Sequence, residues 1–121
     1  MGFLYIGKQK LTPVLGGERY TNVKISSTSA TISLSTYTIY SADVLNTLNI
    51  TPPLSPNAEF IAQLDFISGS TPTIVNSNNI EWFGDNVNEK QGFLPRSNCN
   101  YSILFYYTGI TVRGVIQGSE L

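Results

Sequence analysis

The segment at residues 101–118 (YSILFYYTGITVRGVIQG) constrains the fold more than any other part of the chain. Its alternating pattern predicts two strands. On one face the first strand carries Tyr101, Ile103, Phe105 and Tyr107, and the second carries Ile110, Val112, Gly114 and Ile116. Thr108 and Gly109 mark the turn, because glycine accepts the positive φ that a tight turn demands. This is the most apolar and aromatic part of the chain, so the core must be built on this hairpin.

The composition favours one domain made of sheets. The chain has 121 residues, of which 12% are charged, against about 25% in an average globular protein. Seven basic and eight acidic side chains leave a net charge of -1, which gives no long-range field to gather nucleic acid or to hold an anionic membrane. No apolar run reaches the roughly 18 residues of a membrane helix. Cys99 is the only cysteine, so we expect a structural thiol and synthesis in a reducing cytoplasm.

Alternating apolar residues predict strands through most of the chain. The segment ATISLS at residues 30–35 has three apolar side chains on one face, and AEFIAQLDFI at residues 58–67 places four on one face and its polar residues on the other. Residues 45–50 fit either a short helical turn or a strand. With about nine to eleven short strands and no amphipathic helix, the sequence predicts an all-β fold, an antiparallel two-sheet β-sandwich with jelly-roll-like winding.

The first 17 residues read as a separate unit before a sandwich domain at residues 18–121. Two apolar pieces, residues 3–6 and 11–15, flank a polar turn at residues 7–10, and Gly16 and Gly17 follow as a joint. Pro13 cannot donate to a central strand. An edge hairpin or an arm that adds itself to another subunit satisfies these facts, and an ordinary first hairpin of the domain is the alternative.

The residue types argue against catalysis. Histidine is absent, which removes the usual general base, the triads built on it and the commonest metal ligand. Asp65, Glu81 and Asp85 are the carboxylates to consider for glycoside hydrolysis, but a solvated strand face explains Asp65 and a turn explains Asp85. The acidic loop at residues 85–89 lacks the ligand spacing of a calcium loop. We therefore expect no enzyme activity, no cofactor and no metal.

The aromatic residues suggest a contact surface. Tyr101 and Tyr107 share a face with Ile103 and Phe105, which indicates core or rim packing with hydroxyls reaching water. Tyr106 lies with Leu104 on the opposite face and is the better candidate for a subunit interface or a sugar contact, for which Trp82 is a second candidate. A hairpin that is apolar on both faces predicts a neighbouring sheet or chain, so we expect a homo-oligomer.

Four segments from Ala30 onwards carry a resemblance: ATISLSTYTIYSADVLNTLNITPP, AEFIAQLDFISGSTPTIVN, IEWFGDNV and NYSILFYYTGITVRGVIQG. They resemble a β-sandwich domain of structural proteins in tailed bacteriophages and prophages, in which a strand ending "DF-SG" leads to an "I-W-GDD" turn and a closing hairpin. The matching residues are Asp65, Phe66, Ser68, Gly69, Ile80, Trp82, Gly84, Asp85, Tyr101, Phe105, Gly109 and Gly118. Where the pattern has a second acidic residue, this chain has Asn86. The likeness covers about three-quarters of the chain, and its motifs are structural.

The opening LYIGKQKLTPVL resembles the leading segments of small phage accessory proteins. The resemblance implies a virion protein made in the host cytoplasm, a head fibre, capsid decoration or tail accessory subunit whose partners are other virion proteins. It also implies that the leading segment anchors the protein, and the candidate anchoring residues are Phe3, Tyr5, Ile6, Leu11, Pro13 and Leu15. A carbohydrate- or host-receptor-binding module on the same fold, with a host surface glycan as partner, is the alternative.

Overall fold

The computed structural model of the protein describes residues 5–6, 9–10 and 20–121. Within these residues the chain forms thirteen β-strands and no helix. The strands are β1 Tyr5–Ile6, β2 Gln9–Lys10, β3 Thr21–Ile25, β4 Ser29–Ser33, β5 Thr38–Val44, β6 Thr47–Thr51, β7 Ile61–Ser68, β8 Ile74–Ser77, β9 Ile80–Gly84, β10 Val87–Asn88, β11 Gly92–Phe93, β12 Cys99–Tyr107 and β13 Val112–Glu120. The all-β prediction is confirmed, and residues 45–50 contribute a strand rather than a helical turn.

The described strands form two larger sheets and two short ladders. A six-stranded sheet has the order β3-β5-β7-β12-β13-β9, and a three-stranded sheet has the order β4-β6-β8. The short ladders are β1 with β2 and β10 with β11. The β1–β2 pair joins Tyr5 to Lys10 and Ile6 to Gln9, which agrees with a hairpin in the leading segment.

From β3 to β8 the chain places alternate strands in the two sheets, so each strand pairs in parallel with the next but one: β3 with β5, β5 with β7, β4 with β6 and β6 with β8. β9 also pairs in parallel with β13. The antiparallel prediction is therefore wrong for these five pairs and right for β7–β12, β12–β13 and the two short ladders. A crossover through the other sheet supplies the connection that parallel strands require. Half-buried strands alternate in the same way whichever direction their neighbours run.

One buried cluster combines side chains from both larger sheets. The three-stranded sheet contributes Ala30, Ile32, Leu48 and Ile50, and the six-stranded sheet contributes Ala62, Leu64, Phe66, Tyr101, Ile103, Phe105, Val112 and Ile116. We call the face of the six-stranded sheet that carries these residues its inner face and the opposite one its outer face. The predicted apolar faces of residues 30–35 and 58–67 are confirmed, because each apolar side chain that defined them is buried.

The closing hairpin lies inside the six-stranded sheet, as its composition predicts. β12 pairs with β7 on one side and with β13 on the other, and Tyr101, Ile103 and Phe105 are buried. The turn spans residues 108–111, where the Thr108 amide donates to the Thr111 carbonyl and Gly109 has a φ of 98°. Ile110 lies in this turn and is 92% exposed, so its predicted place in the second strand is wrong.

Candidate functional site

A corner at residues 84–86, which begins at the last residue of β9, joins three strands. Gly84 has a φ of 106°, and a Cβ there would overlap the Ile116 carbonyl oxygen of β13. The Asp85 amide donates to that same oxygen over 3.1 Å, and the Asp85 carboxylate accepts a hydrogen bond from the Gly118 amide over 2.9 Å. Glycine is required because the two backbones touch, and Asp85 extends the pairing of β9 with β13 by one residue.

Asn86 completes the corner. Its φ of 60° is in the left-handed region, where asparagine is enriched. Its side-chain oxygen accepts the Tyr101 hydroxyl over 2.7 Å, and the same hydroxyl accepts the Arg96 amide over 2.7 Å. The Tyr101 hydroxyl is therefore bonded to protein, whereas the sequence pattern predicted that it reaches water. Burial raises the pKa of Tyr101.

Trp82 points to the inner face. Its ring centroid lies 5.4 Å from that of Phe93 and 5.9 Å from that of Phe105, and its indole N–H donates to the Ser77 hydroxyl over 3.0 Å. A Cβ on Gly114 would lie 2.7 Å from the Trp82 ring. Trp82 is thus half-buried and packs against the core cluster, over a glycine of the closing hairpin. The structure places it on the opposite face of the sheet from Tyr106, the other candidate contact residue.

Tyr106 lies on the outer face within an aromatic patch, which we define as Glu81, Phe83, Tyr106 and Arg113. Arg113 is paired across the sheet with Tyr106 on one side and Glu81 on the other. Its guanidinium lies 2.8 Å from the Glu81 carboxylate and 4.3 Å from the centre of the Phe83 ring. The hydrogen bond to Glu81 raises the pKa of Arg113. Phe83 is 44% exposed, so the patch presents an aromatic ring and a fixed cation to solvent.

Beside this patch the outer face has a small apolar cluster of its own. Leu104 is 1% exposed and packs with Tyr20, Tyr37, Ile61 and Tyr106. Apolar residues of the hairpin are therefore buried on both faces in this half of the sheet, and the neighbouring chain expected over the outer face stays a prediction.

A polar depression occupies the other half of the outer face. It has a volume of about 790 Å³. Five of its lining residues are Lys24, Ser41, Asp65, Ser102 and Gln117. At its centre Asp65 is 7% exposed, and Gln63 donates to its two carboxylate oxygens over 3.3 and 3.2 Å. The predicted outward position of Asp65 is right, but its predicted solvation is wrong.

Burial raises the pKa of the Asp65 carboxyl, while hydrogen bonds from Ser102 and Gln63 oppose the rise. The folded state then holds a proton on Asp65 between the unfolded-state pKa, about 3.9, and the higher folded-state value. Stability from this group is therefore lost as the pH rises through that window. We expect urea denaturation to show that Asp65→Asn gains stability relative to the wild type as the pH rises through it. Glu89→Gln, in an exposed loop, is the control, and an advantage of Asp65→Asn that shrinks with rising pH would contradict the prediction.

The structure brings two of the three carboxylates considered for catalysis into one depression, because Asp65 and Asp85 both line it. Glu81 lies in the aromatic patch and pairs with Arg113, and the Asp85 carboxylate accepts a hydrogen bond from the Gly118 amide. Among residues 5–6, 9–10 and 20–121, no group of three His, Cys, Asp or Glu side chains is placed to hold a metal ion. Cys99 is buried at the start of β12, and its thiol lies 3.5 Å from the Ser97 carbonyl oxygen.

Two of the six anchoring candidates fall within the described residues. Tyr5 and Ile6 form β1, and Phe3, Leu11, Pro13 and Leu15 lie outside the described residues. The described part of the chain also contains no helix that could span a membrane.

Sequence reasoning missed the polar depression. Its signal is present in the segment AEFIAQLDFI, where Gln63 and Asp65 alternate with buried apolar residues. Alternation assigns these side chains to the outer face, but it cannot show that strands distant in sequence bring further polar side chains beside them.

Comparison with known proteins gave no match: no protein-family model, no curated protein and no solved structure matches the chain.

Proposed function

We propose that the protein is a non-enzymatic structural component of a tailed phage particle, a head fibre, capsid decoration or tail accessory subunit. The observation that supports this proposal most is the corner at residues 84–86. Residues at this corner and next to it in β9 carry the resemblance to phage structural proteins, and each has a structural role. Gly84 admits the β13 backbone, Asp85 binds the Gly118 amide and Trp82 packs on Phe105. A motif whose residues join strands fits a protein that works by shape.

The proposed architecture is a β-sandwich of two layers, the six-stranded and the three-stranded sheets, with the leading segment as the attachment. Their shared buried cluster supports this arrangement. The aromatic patch supports homo-oligomerisation, because tyrosine, phenylalanine and arginine are enriched at protein interfaces. The protein is then part of the virion and its partners are other virion proteins.

Deletion of residues 1–17 tests attachment. We expect the shortened protein to unfold cooperatively, because the buried cluster found among the described residues spans residues 30–116, and to be missing from particles made by cells that encode the protein. A tagged full-length copy in the same cells is the control, and immunoblots of purified particles give the measurement. A shortened copy that enters particles as well as the full-length copy would refute anchoring by this segment.

The second candidate function is a carbohydrate- or host-receptor-binding module. Phe83 and Tyr106 favour it, because an exposed ring and a half-buried one beside a charged side chain suit the apolar faces and hydroxyls of a sugar. A glycan array probed with the wild type and with Tyr106→Ala separates the two functions. Binding that Tyr106→Ala abolishes favours the module, while no binding to any glycan favours the structural role.

A further inference from the structure

The polar depression is organised as a row that crosses five neighbouring strands of the six-stranded sheet. The pairing of β3, β5, β7, β12 and β13 places Lys24 beside Ser41, Ser41 beside Asp65, Asp65 beside Ser102 and Ser102 beside Gln117. We call these five residues the polar row. Neighbouring strands lie about 4.8 Å apart, so the row is about 19 Å long. The strands hold its side chains in fixed register, which lowers the cost of ordering them on binding.

The carboxylate at the centre of the row carries a desolvation penalty in the folded state. Asp65 is a largely buried carboxylate on a sheet face whose next row contains the buried, apolar Leu104. Ser102 and Gln63 hydrogen-bond to it, but an apolar residue on this strand would avoid its desolvation penalty. Titratable groups with such environments concentrate at binding sites.

The chemistry of the depression selects among ligands. Among the described residues, its lining includes the carboxylates Asp43, Asp65 and Asp85 but one cation, Lys24, so an anionic ligand is disfavoured. Serine, asparagine and glutamine side chains supply both donors and acceptors along the row and its rim. A volume of about 790 Å³ lies in the range of small-molecule sites.

We propose that the polar row binds a neutral oligosaccharide lying across the strands. Sugar hydroxyls both donate and accept hydrogen bonds, and a linear chain of sugar units matches a row of polar groups repeated from strand to strand. This inference rests on the second candidate function, the binding module, and moves the ligand from the aromatic patch to the other half of the outer face.

Titration of the full-length protein with cellotetraose, maltotetraose and chitotetraose tests the inference, with backbone amide NMR shifts as the readout. We expect one of these probes to shift amides of β5, β7, β12 and β13 around the row. Gln117→Ala and Lys24→Ala should each weaken binding about tenfold, the size of one lost hydrogen bond. Gln91→Ala and Lys90→Ala remove the same side chains from exposed positions outside the depression and should leave affinity unchanged.

The other outcomes overturn the inference in distinguishable ways. If Tyr106→Ala abolishes binding while Gln117→Ala leaves it intact, the protein is a binding module but the row is not its site. If no tetrasaccharide shifts any amide, the row has no such ligand. If spermidine shifts the same amides and the tetrasaccharides do not, the depression selects cations.

Discussion

Gly84→Ala is expected to destabilise the protein by about 3 kcal/mol or more, the size of a strained backbone combined with a steric clash. Two causes act together at this position. Residues with a Cβ rarely adopt a φ of 106°. The new methyl group would also overlap the Ile116 carbonyl oxygen. That atom is backbone within β13, so relief requires β9 to move from its partner strand. Urea denaturation gives the free energy of unfolding.

Gly109→Ala is the matched control. Gly109 also has a positive φ, 98°, but nothing lies within 4 Å of a Cβ added there. Gly109→Ala therefore measures the free-energy cost of a positive φ alone, about 1–2 kcal/mol. The difference in stability between the two variants measures the steric clash at position 84. Equal losses of stability would show that the backbones of β9 and β13 leave room for a methyl group at Gly84.

Trp82→Ala is expected to destabilise the protein by about 3 kcal/mol, the lower end of the loss on truncating a core aromatic residue, because the half-buried ring packs against the core cluster. The substitution removes the ring that covers Gly114 and contacts Phe93 and Phe105. It also leaves the Ser77 hydroxyl without the indole N–H. Glycine at position 114 has no side chain to fill the space. Thermal and urea unfolding give the loss of stability.

Phe83→Ala controls for position, because Phe83 is the next residue of β9 and points to the outer face. Its ring is 44% exposed, so we expect a loss of about 1 kcal/mol or less. If instead Trp82→Ala leaves stability unchanged and removes a sugar-binding activity, Trp82 is a ligand contact and its assignment to the core is wrong.

Local alternation predicted much of this fold from the sequence. It identified the closing hairpin and the buried face of residues 58–67, because a half-buried strand must place its apolar residues two apart. It did not predict strand direction. Leu64 is buried in the same way whether its neighbouring strand runs parallel or antiparallel, so the parallel winding from β3 to β8 left no mark in the pattern.

The two sites also differ in how far the sequence predicted them. The corner after β9 was recognisable as a turn because Gly84, Asp85 and Asn86 are turn-forming residues. The polar row was not, because its members are separated by up to 93 positions, from Lys24 to Gln117, and only sheet order brings them together. Lys24 and Gln117 are each unremarkable among exposed polar residues when read alone.

The position of β12 and β13 has a consequence for how the protein is made. β7 pairs with β5 on one side and with β12 on the other, and β9 has its sheet partner in β13. A nascent polypeptide on the ribosome therefore carries an open β7 edge, and a β9 without its sheet partner, until residues 99–120 have been synthesised. Completion of the six-stranded sheet awaits the closing hairpin.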